Sequence, residues 1–393
     1  MKFSKTILSR TKCIKNYAAI VLFLFLIFPM KTFEIRFAFE FILFVTVLPW
    51  VVFNKNYFYI VIILLIGLIS IFSLRFFFSS DVTEFNDIAR IITPILILFH
   101  VTSHVSLNRL IFVSGVIIFV NALVITMYAS GYEVSFLSNY VYSVASEFSY
   151  GRNSGIFSNI AILGVLASFF LITSYVALLE GHEFKKANKI VILLSSYCLV
   201  MSQSKTSILV GLLLVIMISI YYAITSKKKL LPLMVIGSLV SMVALLYKII
   251  AATFYTFYKL LNAESIWNIS SLVARFDYWN QYWEMITASF SSLVLGVERG
   301  LIGNVGNTFD NDYIWILARF GIFPLVIYLG FLLYKCFQLL NYKKYIIESR
   351  ISIWLTIYTL FASFLIGIIA TPVLLGYLLM FYNKNQTTYK RVV

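Results

Sequence analysis

A chain of 393 residues that is 61% hydrophobic, only 12% charged and of mean hydropathy +0.93 cannot hide its apolar surface inside a water-soluble globule. Its formal net charge of +15 points to membrane topology rather than to nucleic acid, because Lys and Arg gather on the cytoplasmic side of membrane spans. The solvent is lipid, and the fold class is an all-α polytopic membrane protein.

No polar segment is large enough to bury a core of its own, so residues 1–393 read as a single integral-membrane domain. Apolar runs approaching the roughly 20 residues that cross a hydrocarbon core fall near residues 17–30, 37–53, 57–74, 89–106, 109–129 and 156–179. More follow near 189–203, 205–225, 230–252 and 311–334. The stretch 351–382 is too long for one upright helix, and Thr371-Pro372 breaks it into two short passes. This predicts a bundle of about 12 transmembrane helices, or about 11 if the last stretch crosses once. The first run follows a basic arm but lacks a small-residue cleavage site, so it reads as a retained helix.

Charge sets the orientation. With the N-terminus inside, Lys2, Lys5, Arg10, Lys12, Lys15, the Lys227–Lys229 run, Lys343, Lys344 and Arg350 are cytoplasmic, and the tail with Lys384, Lys390 and Arg391 returns to that side. Acidic residues do the opposite, and only Glu180, Glu183 and Glu348 fall inside. Three outer segments result, 75–90, 130–155 and the longest, an extracytoplasmic loop over 253–310. Long loops in compact bundles usually carry function. Within the last one, Ile286 to Leu295 is apolar but too short to span, which suits an interfacial or re-entrant segment. Cys13, Cys198 and Cys336 fall near the N-terminus, inside a span and at a cytoplasmic helix end, so no two meet in an oxidising compartment and no disulfide framework is implied.

The long loop holds the densest chemistry. A helix through Val273-Ala274-Arg275-Phe276-Asp277-Tyr278-Trp279 would put Arg275, Trp279 and Trp283 on one face. An Arg can grip a diphosphate bidentately, and flat aromatics can stack on sugar rings. The plainer alternative is an interfacial Trp and Tyr belt with a snorkelling Arg. Asp310 and Asp312 flank Asn311 where the next span begins, a position that the helix dipole favours and that a simple cap would also explain. Arg319 follows Asp312 by seven residues on nearly the same face, about 10 Å deeper. An ionisable residue at that depth is a functional candidate by default.

Two further patterns share that side. Gly151-Arg152-Asn153-Ser154-Gly155 closes the second outer segment and opens a span, and Ser202-Gln203-Ser204-Lys205-Thr206-Ser207 joins two spans tightly. Helix N-termini with small polar residues suit anions, with Arg152 or Lys205 adding charge, although ordinary capping gives the same residues. His100 and His104 are spaced i, i+4 but lack partner ligands, so no metal is expected. No Gly-rich phosphate loop and no Gly-x-Ser-x-Gly elbow occurs, and no cofactor is expected.

At these residues the chain resembles the O-antigen polymerase family, the Wzy-type bacterial polysaccharide polymerases related to O-antigen ligases. The carriers are Arg-x-x-Gly-Ile-Phe at Arg152, Ser-x-Ser-Lys-Thr at Ser202, the Arg275 segment leading to Leu295-Gly296, and Asp-Asn-Asp-Tyr followed by Gly321. The second motif often has Arg where this chain has Lys205, and relatives, ligases especially, often carry an outer His near the place of Asp310. All three histidines here approach the cytoplasmic side instead, which weighs against a ligase.

The resemblance implies an enzyme of the bacterial cytoplasmic membrane that polymerises undecaprenyl-diphosphate-linked repeat units at the outer face. Its partners would be the lipid-linked glycan donor and acceptor, with a chain-length regulator and a flippase beside it. Arg152, Arg275 and Lys205, with Arg319, would hold the diphosphate, Asp310 or Asp312 would act as general base, and Trp279 and Trp283 would stack on sugars. Rival readings are an O-antigen ligase, a lipid-linked oligosaccharide flippase or other transporter, and a membrane scaffold. Transporters tend to carry repeats and midplane charges, whereas the polar groups here concentrate toward one side.

Overall fold

The computed structural model describes residues 105–132, 154–157, 159–225, 232, 270–297, 311–340, 346–364, 374 and 377. Arg152, Asp310, His100, His104 and Cys13 lie outside the described residues, as do the expected spans near 17–30, 37–53 and 57–74 and most of those near 89–106 and 230–252. The count of about 12 passes takes in these stretches. The described residues are mostly helical, with no strand among them.

Five helices build the larger core. They are α1 (Leu107–Ala129), α2 (Ile160–Leu179), α3 (Lys185–Ser202), α4 (Lys205–Thr225) and, later in the chain, the helix Ile347–Ala362. Between them come α5 (Ser270–Thr287), α6 (Phe290–Leu295), α7 (Asp312–Phe320) and α8 (Ile322–Phe337), so Ile347–Ala362 is α9. Four helical stretches are long and apolar enough to cross a membrane: Leu107–Ala129, Ile160–Leu179, Lys205–Thr225 and Ile322–Leu340. Each agrees closely with a span read from sequence except the last.

Sequence explains the placement. Helix α2 is apolar nearly all round, so it can be buried on every side, and it packs against α1, α3, α4 and α9. Two of its hydroxyls are satisfied within the bundle: Ser168 donates to the Gly164 carbonyl at 2.9 Å, and Tyr175 pairs with Ser219 of α4 at 2.7 Å. By contrast Leu209, Leu213, Ile216, Ile220 and Ile224 give α4 an exposed apolar stripe at helical spacing, as a lipid-facing helix should have.

The stretch expected as one span over 311–334 is two helices. Gly321 stands between them with φ +81°, in the left-handed region that glycine tolerates, and ends α7 by donating its N–H to the Leu317 carbonyl at 3.0 Å. Pro324 then sits in the first turn of α8, where its missing N–H costs no helical bond. Only α8 belongs to the apolar crossing. The short α7 packs with α5 and α6 around a second, smaller core of Tyr282, Ile286, Val297, Leu317 and Ala318.

Two ends of the bundle are distinguished by their polar contacts. At one, Arg350 of α9 pairs with Glu180 after α2, and Tyr222 of α4 donates to the same carboxylate. At the other, Ser363, thirteen residues farther along and thus about 20 Å away, meets Asp312 of α7. Of the described candidates, Asp312 lies at this second end, and so does Lys205, which opens α4 far from Tyr222.

Candidate functional site

The site begins with how α7 starts. Asn311 is its cap, and the Asn311 Oδ1 accepts from the N–H groups of Tyr313 at 2.9 Å and Ile314 at 3.1 Å. Those are amides that a helix start otherwise leaves unsatisfied. Asp312 in the first turn and Arg319 in the last complement the helix dipole at both ends. Both side chains are buried, Asp312 at 0% exposure and Arg319 at 8%.

Burial of a carboxylate is costly unless donors meet it. Here Ser363 supplies one, its Oγ donating to Asp312 Oδ2 at 2.8 Å, while the Asp312 N–H donates to the Ser363 carbonyl at 2.8 Å. The Tyr313 hydroxyl donates to the Leu360 carbonyl at 2.6 Å. The first turn of α7 thus satisfies carbonyls at the end of α9 that have no partner within that helix.

Helix α5 docks on α7 through Tyr282 and Ile286, which bury against Leu317 and Ala318. Just beyond α6, the Val297 N–H donates to the Ala318 carbonyl at 2.7 Å and seals the arrangement. Burial pushes the Tyr282 phenol above the ordinary tyrosine range, with Arg319 opposing the shift and Tyr278 adding to it. The phenol therefore stays neutral beside the guanidinium.

The helix expected around Arg275 is present, but its packed row is Tyr278, Tyr282 and Ile286. Arg275 lies seven residues before Tyr282, hence nearly on the same face and about 10 Å along, and it is half-buried. Trp279 is half-buried with its ring edge-on to Phe276 at 5.2 Å. Trp283 turns outward at 55% exposure. The apolar stretch after it is α6, six residues long, and Phe290 at its start is 81% exposed. It is too short to cross a bilayer.

The Lys205 turn is tightly built. Gln203 adopts φ 48° and is buried, the Ser202 hydroxyl accepts from the Ser204 N–H at 3.2 Å, and Ser204 and Ser207 pair at 2.9 Å. Both serines press on Gly164 of α2, where a Cβ would come within 2.7 Å of Ser207 Oγ. Lys205 opens α4 at partial exposure. The segment after Arg152 reaches the same end of α2: Asn121 of α1 accepts from the Ile156 N–H at 3.0 Å, Phe157 is buried, and Asn159 caps α2 by accepting from Ala161 N–H at 2.7 Å.

Two groupings therefore emerge. Asp312 and Arg319 share α7 with the docked Arg275 helix, and the Lys205 turn sits at the start of α2 with the segment that follows Arg152. Sequence reasoning missed Ser363, the packing of Tyr282 and the helix break at Gly321. Gly321 followed two residues on by Phe323-Pro324 was a readable stop-and-start signal, whereas Ser363 and the face that Tyr282 presents carried none.

A family model described as O-Antigen ligase matches residues 190–329. The matched stretch takes in the Lys205 turn, α4, α5, α6 and α7, and so Lys205, Arg275, Trp279, Trp283, Asp310, Asp312 and Arg319; Arg152 precedes it. No curated protein matches the chain. Falling on these residues, and joined to helices apolar enough to cross a membrane, the match is a likeness to the O-antigen ligase family over that stretch.

Proposed function

We propose that this chain is a membrane glycosyltransferase that polymerises undecaprenyl-diphosphate-linked oligosaccharide repeat units into O-antigen or capsular polysaccharide at the outer face of the cytoplasmic membrane. The observation that carries the reading is the packing of α5, with Arg275, onto α7, with Asp312 and Arg319, inside the family-matched stretch. It concentrates guanidinium, carboxylate and aromatic groups where a spanning helix begins.

In this reading a hydroxyl of the acceptor glycan attacks the anomeric carbon of the growing chain. The bond from that carbon to the diphosphate breaks, and undecaprenyl diphosphate leaves. Arg152, Arg275 and Lys205, with Arg319 behind them, hold the charge that develops on the leaving group, which is usually the largest catalytic contribution. The attacking hydroxyl passes its proton to a carboxylate. Asp312 is closed to solvent and engaged by Ser363, which favours Asp310 for that role. Trp279 and Trp283 offer stacking faces for sugars.

The description of the matched family favours a second reading, ligation, in which finished glycan moves to another lipid acceptor. Disrupting the gene and resolving surface glycans on a gel separates the two. Loss of a polymerase leaves lipid capped by a single repeat unit, whereas loss of a ligase removes even that unit. A ladder of wild-type lengths in the disrupted strain would exclude both.

A further inference from the structure

Helix α9 holds none of the residues that the motifs single out, yet it touches both groupings of them. At its end Ser363 donates to Asp312 Oδ2 at 2.8 Å, accepts the Asp312 N–H at 2.8 Å, and lies 3.4 Å from the Tyr328 hydroxyl of α8. Five residues earlier, about 7.5 Å along the axis, Tyr358 is buried with its hydroxyl facing those of Ser168 and Ser207, though outside hydrogen-bond geometry. Its ring meets Phe169 edge-on at 5.4 Å. Ser207 is paired with Ser204 in the Lys205 turn.

One helix thus contacts the acidic start of α7 and the serine beneath the cationic turn. The Ser363 hydroxyl is buried and bonded to Asp312, where an apolar side chain would pack without desolvation cost. That chemistry favours a directional role over simple space-filling at this contact, while Tyr358 contributes through its ring against Phe169.

We propose that α9 is a positioning strut, in which Ser363 acting through Asp312 and Tyr358 acting beside Ser207 hold α7 and the Lys205 turn at a fixed separation. Ser363 and Tyr358 are positioning residues and do not touch substrate. The inference rests on the transferase reading above, since the separation matters because a lipid diphosphate and its glycan must engage both groupings at once. Misplacement of such groups by about 1 Å can cost on the order of a hundredfold in rate.

The test uses the full chain in lipid nanodiscs with a synthetic undecaprenyl-diphosphate-linked repeat unit as probe. Turnover is measured beside hydrogen exchange at the amides of Tyr313 and Ile314. Ser363→Ala should lower kcat by about tenfold or more with KM changed less than about twofold, and should speed exchange at the two amides. Ser363→Thr, which keeps the hydroxyl, should recover at least about half the rate and the protection. Should Ser363→Ala fail to fold, Tyr358→Leu, which removes the edge-on ring contact with Phe169, keeps the proposal open to test, with kcat expected to fall about threefold at unchanged KM.

Wild-type turnover in Ser363→Ala, or equal loss in the Ala and Thr variants, would overturn the strut while leaving the transferase reading intact. Unchanged amide exchange would overturn it on geometry alone. Faster exchange in Ser363→Ala with no turnover even by the wild-type chain would instead sink the transferase reading, and the positioning role with it.

Discussion

The carbonyl of Val294 lies so close to Gly321 that a Cβ placed on the glycine would stand 1.9 Å from its oxygen. The contact locks α6 against the junction of α7 and α8. It combines with a φ of +81° that disfavours any other residue. Gly321→Ala should therefore cost about 2 kcal/mol or more, read as a lowered thermal midpoint of the detergent-solubilised chain, with loss of polymer in cells. Gly330, in α8 with open space around it, is the control, and Gly330→Ala should leave both unchanged. Equal behaviour of the two variants would contradict the described junction.

Arg275 and the acidic pair bear on the chemistry itself. Arg275→Ala should abolish chain growth while the protein still inserts and folds, as judged by membrane fractionation and thermal unfolding. Asp310→Asn should lose most of the rate, on the order of a hundredfold. With a carboxylate as base, the rate should also decline as pH falls toward about 4, near the ordinary carboxylate range. Full-length polymer from the Arg275 variant would remove that residue from the mechanism, and a flat acidic limb would remove the carboxylate.

Tyr282 makes a prediction at the other end of the pH scale. Its folded phenol titrates above the ordinary value, so the folded chain keeps that proton where the unfolded chain has begun to lose it. The stability it contributes is constant below about pH 10 and falls as pH rises beyond that value. Tyr282→Phe should flatten part of this alkaline decline in unfolding experiments without changing stability near neutrality by more than about 1 kcal/mol. An identical alkaline slope in the two proteins would mean that the phenol is not held beside α7 as described.

Glu180, Arg350 and Tyr222 tie together the end of the bundle remote from Asp312. Removing one member leaves a partly buried charge without its partner. Glu180→Ala should cost on the order of 2 kcal/mol, and Glu180→Ala with Arg350→Ala should cost less than the sum of the single changes. Turnover per folded molecule should stay within about twofold of wild type because α9 separates this cluster from the site by about 20 Å. A selective loss of turnover at full stability would show that this end is coupled to the chemistry.

At the Asn121 contact, Asn121→Ala would strand the Ile156 N–H that its Oδ1 accepts. The expected cost is about 1–3 kcal/mol, together with weaker binding of the lipid-linked probe if the adjoining Arg152 segment grips diphosphate. Unchanged probe affinity in a measurably destabilised variant would take Arg152 out of the diphosphate site.

Much of this architecture was legible in the amino-acid order because lipid leaves the chain few choices. An apolar run long enough to cross must be a helix, so α1, α2 and α4 could be placed to within a few residues. The caps at Asn159 and Asn311 follow from side-chain chemistry confined to a single turn. Even the helix through Arg275 could be read from local spacing.

What local pattern could not supply was which faces meet. Arg275, Trp279 and Trp283 recur at helical spacing, yet Tyr278, Tyr282 and Ile286 recur at the same spacing, and the packing of α7 selected the second row. Ser363 looks like any serine near a helix end. Its importance arises from Asp312, fifty-one residues away in sequence and 2.8 Å away in space. Hydropathy and capping are properties of neighbours along the chain, whereas a buried carboxylate finds its donor only when the helices have packed. The sequence by itself determined the solvent, the helices and the candidate charges; the tertiary structure decided which charges are buried, which helix holds them, and where the span divides at Gly321.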